Sequence, residues 1–126
     1  MSEQGHAYRP LTHDEVRVLR AFVQACTESI AAGFAMDRDL PRVRARDLDD
    51  GGWGSIALCI DGVEAAGGKF AAEMQYNDTD GAPVLVSLYV SAEGVPTSLE
   101  FWRAGEGPRQ SIPTVLPAVV LARDVR

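Results

Sequence analysis

The side chains that most often perform nucleophilic catalysis or bind zinc are few in this sequence and far apart. Its two histidines are His6 and His13, and its two cysteines are Cys26 and Cys59. A catalytic nucleophile needs a base within hydrogen-bond reach, and a zinc site needs several ligands at paired spacing. Because neither pattern occurs, the sequence predicts no enzyme activity, no metal site and no cofactor. Both cysteines are predicted to be buried free thiols.

One loop partly matches the calcium-binding loop of helix–loop–helix proteins. Asp78 and Asp80 stand at its third and fifth positions. However, Tyr76 occupies the first ligand position, and Ser87 stands where the bidentate glutamate is required. The flanking residues alternate in polarity as strands do, so we interpret the loop as a hairpin turn.

The glycine-rich segment 51–55 could be mistaken for a phosphate-binding loop. It lacks the P-loop lysine, and Asp47, Asp49 and Asp50 precede it, where their charge would repel a phosphate. Two interpretations remain open. The segment is either a tight turn whose glycines allow positive φ or a recognition loop in which Trp53 anchors a partner.

The negative charge of the chain is concentrated in its middle. Residues 47–100 contain ten acids and one base, Lys69, whereas residues 1–46 are nearly neutral and residues 101–126 are slightly basic. Such a segment should repel nucleic acid and anionic membranes and attract a basic protein. The alternative is a solvated surface that only maintains solubility.

Paired carboxylates could also act as acid and base in glycoside hydrolysis. Most of the acids in residues 47–100 fall in predicted turns or on outward strand positions, where little would perturb their pKa values. We therefore predict partner binding rather than catalysis for the acidic segment. The predicted partner-binding residues are Asp47, Asp49, Asp50, Trp53, Asp61, Glu64, Glu73, Asp78 and Asp80.

A single long helix should precede these residues. Thr12 and Glu15 form a capping box, which predicts a helix that begins at His13. The pattern predicts that the helix continues to about Ala32 and stops at Gly33. Its predicted buried stripe consists of Val16, Leu19, Val23, Cys26 and Ile30.

After the helix the period of the apolar residues changes to two. Alternation predicts strands near residues 43–48, 56–60, 70–76, 84–91 and 99–103. Turns with the pattern acid-Gly-x-Pro begin at Asp80 and Glu93, and they are too short for parallel crossovers. The predicted fold class is α+β, with one N-terminal helix packed on a four- to five-stranded, mainly antiparallel meander sheet.

We expect one domain over residues 1–126, with residues 1–7 mobile and residues 104–126 forming a proline-containing tail. Residues 115–121 are apolar enough to dock on the body or to form an edge strand, and both options remain open. No apolar run approaches the ~20 residues of a membrane span, and the N-terminus lacks a signal-peptide pattern. These features predict a cytoplasmic protein.

Several of these motifs together resemble a family of small, uncharacterised bacterial domains. They are the segment 8–12 with Glu15, the turn at residues 49–55, and the hairpin turn at residues 80–83 that leads into strand 84–90. They are chiefly capping and turn signatures, so they imply a shared fold more than a shared role.

The small size and acidic charge also resemble immunity proteins of bacterial polymorphic-toxin and contact-dependent growth inhibition systems. That resemblance implies an immunity-type protein that binds and neutralises a cognate toxin domain, often a nuclease. It supplies no residue as a known toxin contact. The alternative function is a small-molecule-binding or regulatory domain without catalysis. Oligomeric state and strand order are left open.

Overall fold

The structure, a computed structural model, describes residues 7–30, 34–64 and 68–125. Of the N-terminal residues 1–7 that we expected to be mobile, only Ala7 is described. The predicted helix stop, Gly33, also lies outside the described residues. Within the described ranges, two helices and one open sheet contribute to a single hydrophobic core.

Helix α1 (His13–Ala25) begins where the capping box predicts. The Thr12 side chain accepts from the Glu15 amide, and the Glu15 carboxylate accepts from the Thr12 amide. The predicted end at Ala32 is wrong, because the helix ends at Ala25 and Cys26 leaves helical geometry. The amides of Ser29 and Ile30 then turn back onto the Cys26 carbonyl. Threonine and serine after Cys26 favour such a turn, a local preference that the apolar period does not register.

The buried stripe of α1 is rotated from the predicted one. Leu19 and Cys26 are buried as expected, but Val18 and Phe22 are fully buried in place of Val16 and Val23, which are only partly covered. All these positions are apolar, so the sequence allows either stripe. The large Phe22 ring, which is completely buried, lies on the stripe that the structure uses.

Six antiparallel strands form one sheet with the spatial order β1-β2-β5-β4-β3-β6. This confirms the predicted α+β class with an N-terminal helix and an antiparallel sheet. A short helix α2 (Met36–Asp39) and a 3₁₀ turn precede the sheet and were not predicted. The strands are β1 (Val43–Asp47), β2 (Ile56–Ile60), β3 (Lys69–Asn77), β4 (Pro83–Val90), β5 (Pro96–Arg103) and β6 (Val120–Leu121).

The sheet departs from a simple meander at two places. Strands β3, β4 and β5 are consecutive neighbours, but β2 pairs with β5 through Ile56 and Leu99 rather than with β3. Because β5 buries five of its eight residues, it suits the interior of the sheet, whereas β3 exposes Lys69, Gln75 and Asn77. The sixth strand is part of the tail and pairs with Ala72 and Glu73 at the edge of β3.

The two faces of the sheet differ in burial. One face packs with α1 in the core and is lined by side chains such as Val86, Leu88 and Phe101. The alternate residues point to the opposite side, as strand geometry requires. We call this second side the open face. Its residues include Arg44 and Arg46 on β1 and Phe70, Glu73, Gln75, Leu85, Ser87, Tyr89, Ser98, Glu100 and Trp102 on β3 to β5.

Candidate functional site

Arginines from outside the acidic segment pair with many of the predicted partner-binding carboxylates. Five of the nine predicted residues have an arginine within 3.4 Å, so the excess of acids in the middle of the chain does not form one bare acidic surface. The pairs are Arg9–Asp47, Arg42–Asp61, Arg46–Glu64, Arg103–Asp78 and Arg103–Asp80.

These partners hold the carboxylates in their charged form. Hydrogen bonding to Arg42 lowers the pKa of Asp61. Bonds from Arg46 and then Tyr8 lower the pKa of Glu64. The Arg103 guanidinium lowers the pKa of Asp80 to about 2. Each of these charges is therefore already stabilised by a group of the same chain.

Acid is expected to destabilise the fold through these groups. A carboxylate whose pKa is lowered by folding contributes stability that is complete above its unfolded value, about 4, and is lost as the pH falls through its folded value. That folded value is about 2 for Asp80. We expect the midpoint of urea unfolding to be constant between about pH 7 and 5 and to fall between about pH 4 and 2. Circular dichroism at a series of pH values measures this, and an unchanged midpoint at low pH would contradict it.

Asp78 is not a surface residue but the centre of a buried network. Its side chain has no exposed area, and it accepts hydrogen bonds from the amides of Thr79, Gln110 and Ser111 at 3.0, 2.8 and 3.0 Å. The buried Arg103 lies 3.4 Å away. Burial alone would raise the pKa of Asp78, but the hydrogen bonds outweigh it and the pKa is lowered. Asp78 thus fastens the tail to the β3–β4 turn.

The fastened tail in turn positions the glycine-rich loop. The Arg109 amide donates to the Gly52 carbonyl, and its Nε donates to the Trp53 carbonyl at 2.7 Å. Gly54 has a φ of +95°, and a Cβ there would overlap the Arg109 guanidinium. The positive φ favours glycine at this position, and a larger residue would also have to displace the Arg109 guanidinium.

Asp50 and Trp53 are brought to one end of the open face. The Asp50 carboxylate accepts from the amides of Gly54 and Ser55, so it caps the loop from within. Asp49 lies exposed in the same connection. The Trp53 ring meets the Trp102 ring edge-on, with centroids 6.4 Å apart and an angle of 72° between the planes. The positive φ values of Gly51, Gly52 and Gly54 confirm the tight-turn interpretation, whereas the role of Trp53 as a partner anchor stays a prediction.

Trp102 and Glu100 are functional candidates that the sequence reasoning missed. Trp102 is 51% exposed although it is a large apolar residue, and Glu100 is also exposed. They are two residues apart on β5, so both side chains point from the open face, about 6.6 Å apart along the strand. The sequence did hold a signal for their exposure, because both residues alternate along the strand with the core residues Leu99 and Phe101.

The remaining open-face residues extend this surface across the sheet. In register, Trp102 stands beside Leu85, Glu100 beside Ser87, and Ser87 beside Glu73. Glu73 is thus the one predicted acid that lies on a strand of the open face. A groove of about 310 Å³ runs along this surface, lined by Asp50, Trp53, Ser55, Leu85, Ser87, Tyr89, Glu100, Phe101 and Trp102.

Three acids of this region, Asp50, Glu73 and Glu100, make no ion pair with any described residue. From the described residues, the Glu100 carboxylate accepts a single long hydrogen bond, 3.4 Å, from Ser98. The basic residues of the same face stand apart on β1, where Arg44 and Arg46 flank Ala45. Aromatic rings and unpaired carboxylates therefore share the β3–β5 half of the open face.

Across the described ranges, no three His, Cys, Asp or Glu side chains are grouped as metal ligands would be. Both cysteines are buried free thiols, as predicted. No helix in the described part of the chain has the length and apolar character needed to cross a bilayer.

Comparison with known proteins returns a family but no role. A family profile described as "Domain of unknown function (DUF6984)" matches residues 8–113, which include α1, strands β1 to β5 and the part of the tail fastened by Asp78. No curated protein and no solved structure matches the chain. The resemblance to toxin inhibitors therefore rests on charge and size alone.

Proposed function

The chain belongs to the DUF6984 family, and from that premise we propose that it is a non-catalytic, immunity-type protein that binds and neutralises a basic toxin domain. We place the docking surface on the open face rather than on the turn carboxylates. The turn carboxylates are already paired with arginines, so binding a partner there would first have to break those pairs.

One observation carries the proposal: an exposed tryptophan lies in a groove with two carboxylates, Asp50 and Glu100, that make no ion pair with any described residue. Trp102, supported by Trp53, is the kind of rigid amphipathic group that dominates binding energy at protein interfaces. Asp50 and Glu100 line the same groove, Glu73 stands farther off on β3, and none of the three forms an ion pair with a described arginine. A basic protein would bury the indole and supply the missing cations.

The same surface argues for the proposed classes of partner. Its acids would speed encounter with a cationic domain and would oppose nucleic acid and anionic membranes. An immunity protein of this kind would act in the cytoplasm, the compartment that the sequence predicts, and would need no catalytic residue of its own. A sheet face that covers the basic substrate path of a nuclease would be sufficient to block it.

Co-expression with a basic toxin domain tests the proposal, and the first candidate to use is the product of a neighbouring gene. We expect a complex that survives gel filtration and cells that survive toxin expression. Glu93→Gln, an exposed turn residue outside the groove, should protect equally well. A toxin that kills to the same extent with and without this chain would refute the proposal.

A second candidate, small-molecule binding, is favoured by a different cavity. A pocket of about 350 Å³ lies between the end of α1, β3 and the tail, and its wall includes Lys69, the only lysine of the chain, together with Cys26 and Arg123. This volume is within the range of ligand pockets. A thermal shift on addition of a small anionic metabolite, lost in Lys69→Ala, would support this function.

A further inference from the structure

The open-face groove has the chemistry of a receptor for one particular side chain. We propose, resting on the proposed function, that the groove accepts an arginine of the partner, whose guanidinium stacks on the Trp102 indole and pairs with the Glu100 carboxylate. Arginine would then be the residue by which the partner is recognised, and the groove would be the specificity-determining part of the docking surface.

The first support is the arrangement of the two indoles. Trp53 and Trp102 stand at 72° to each other, so they form two walls of a corner rather than a closed stack. Half of the Trp102 side chain remains exposed. A cation held over such a face is attracted by the negative charge of the ring, most strongly for tryptophan.

The second support is the position of the unpaired carboxylate. Glu100 lies about 6.6 Å from Trp102 along β5 and points from the same face. A guanidinium that lies flat on the indole can therefore direct its N–H groups along the strand toward Glu100. The long bond from Ser98, 3.4 Å, leaves acceptor positions of that carboxylate open.

Arginine fits this groove better than lysine. A guanidinium is planar, stacks on aromatic rings and donates two parallel hydrogen bonds to one carboxylate, whereas an ammonium is a strongly hydrated point charge. The chain already uses the same contact internally, since the Arg109 guanidinium lies 4.5 Å from the centroid of the Phe101 ring. Because Arg109 also donates to the Trp53 carbonyl, it is held at the back of the loop and does not occupy the groove.

The test uses the intact chain without any partner. Ethylguanidinium, N-ethylurea as its neutral analogue and ethylammonium are each titrated, and the shifts of the two indole N–H signals are followed by NMR. We expect ethylguanidinium to shift both signals, ethylammonium to bind more weakly and N-ethylurea to have no effect. Glu100→Gln should weaken the binding of ethylguanidinium about fivefold, which is the upper limit for the loss of an exposed ion pair.

Glu93→Gln is the matched control and should bind ethylguanidinium like the parent chain. Trp102→Phe keeps an aromatic ring and should weaken binding without unfolding the protein. Equal binding of the urea analogue, or unchanged binding in Glu100→Gln, would overturn the inference. Loss of guanidinium binding with an intact toxin complex would reject only this inference. Guanidinium binding without any toxin complex would reject only the proposed function.

Discussion

Trp102→Ala is expected to weaken the complex with the basic partner roughly 30-fold or more, which corresponds to the loss of about 2 kcal/mol or more that defines a binding hot spot. The indole is exposed in the free chain, so it contributes little to the core, but it would be buried on binding. Isothermal titration or surface plasmon resonance with the partner domain measures this change.

Val115→Ala provides the control for Trp102→Ala. Val115 is 83% exposed and apolar, but it lies in the tail rather than on the open face. Its removal should leave the affinity unchanged. Similar losses for both substitutions would indicate a nonspecific hydrophobic contact, and an unchanged affinity for Trp102→Ala would exclude the groove as the docking site.

Asp78→Ala is expected to have the largest effect on stability, with a loss of roughly 3–5 kcal/mol, as is usual when one member of a buried charged pair is removed. The substitution leaves the amides of Thr79, Gln110 and Ser111 without their acceptor and leaves Arg103 with less compensating charge. Urea unfolding at pH 7 measures the free energy of unfolding.

The exposed pair between Asp61 and Arg42 offers a comparison. Asp61→Ala should change the stability far less than Asp78→Ala, because exposed ion pairs are screened by solvent. Relative to the parent chain, Asp78→Ala should also accelerate amide hydrogen exchange most at Gln110 and Ser111, where the tail is released. If both substitutions had equal effects, the buried network would not be what fastens the tail.

Loss of this network should also reach the docking surface. Asp78 fixes Gln110 and Ser111, and the adjacent Arg109 fixes the carbonyls of Gly52 and Trp53. The corner formed by the two indoles therefore depends on a carboxylate in a different turn. This explains how an acid predicted as a contact can serve the site from the interior instead.

The sequence was sufficient to predict features that depend on residues close together in the chain. Thr12 and Glu15 are three residues apart, and their capping box marked the start of α1 correctly. Alternation located β1 to β5 because the side-chain period of a strand is local. The end of α1 was wrong because the apolar pattern continued to Ile30 while Cys26 had already left the helix.

Features that depend on distant residues could not be derived in the same way. Asp47 meets Arg9 across 38 positions of the chain, and Asp78 meets Arg103 across 25, so composition gave no sign that these acids were paired. Trp102 was known to alternate with core residues. Its exposure became evident only when α1 was seen to pack on the other face of the sheet.

Both tryptophans of the chain stand on the open face that we propose as the binding surface for the basic partner. Labelling this chain with 5-fluorotryptophan therefore gives two ¹⁹F NMR signals that report on that face alone. We expect both signals to shift and become protected from solvent when the toxin domain is added. A complex that forms while both signals remain unchanged would contradict this proposal.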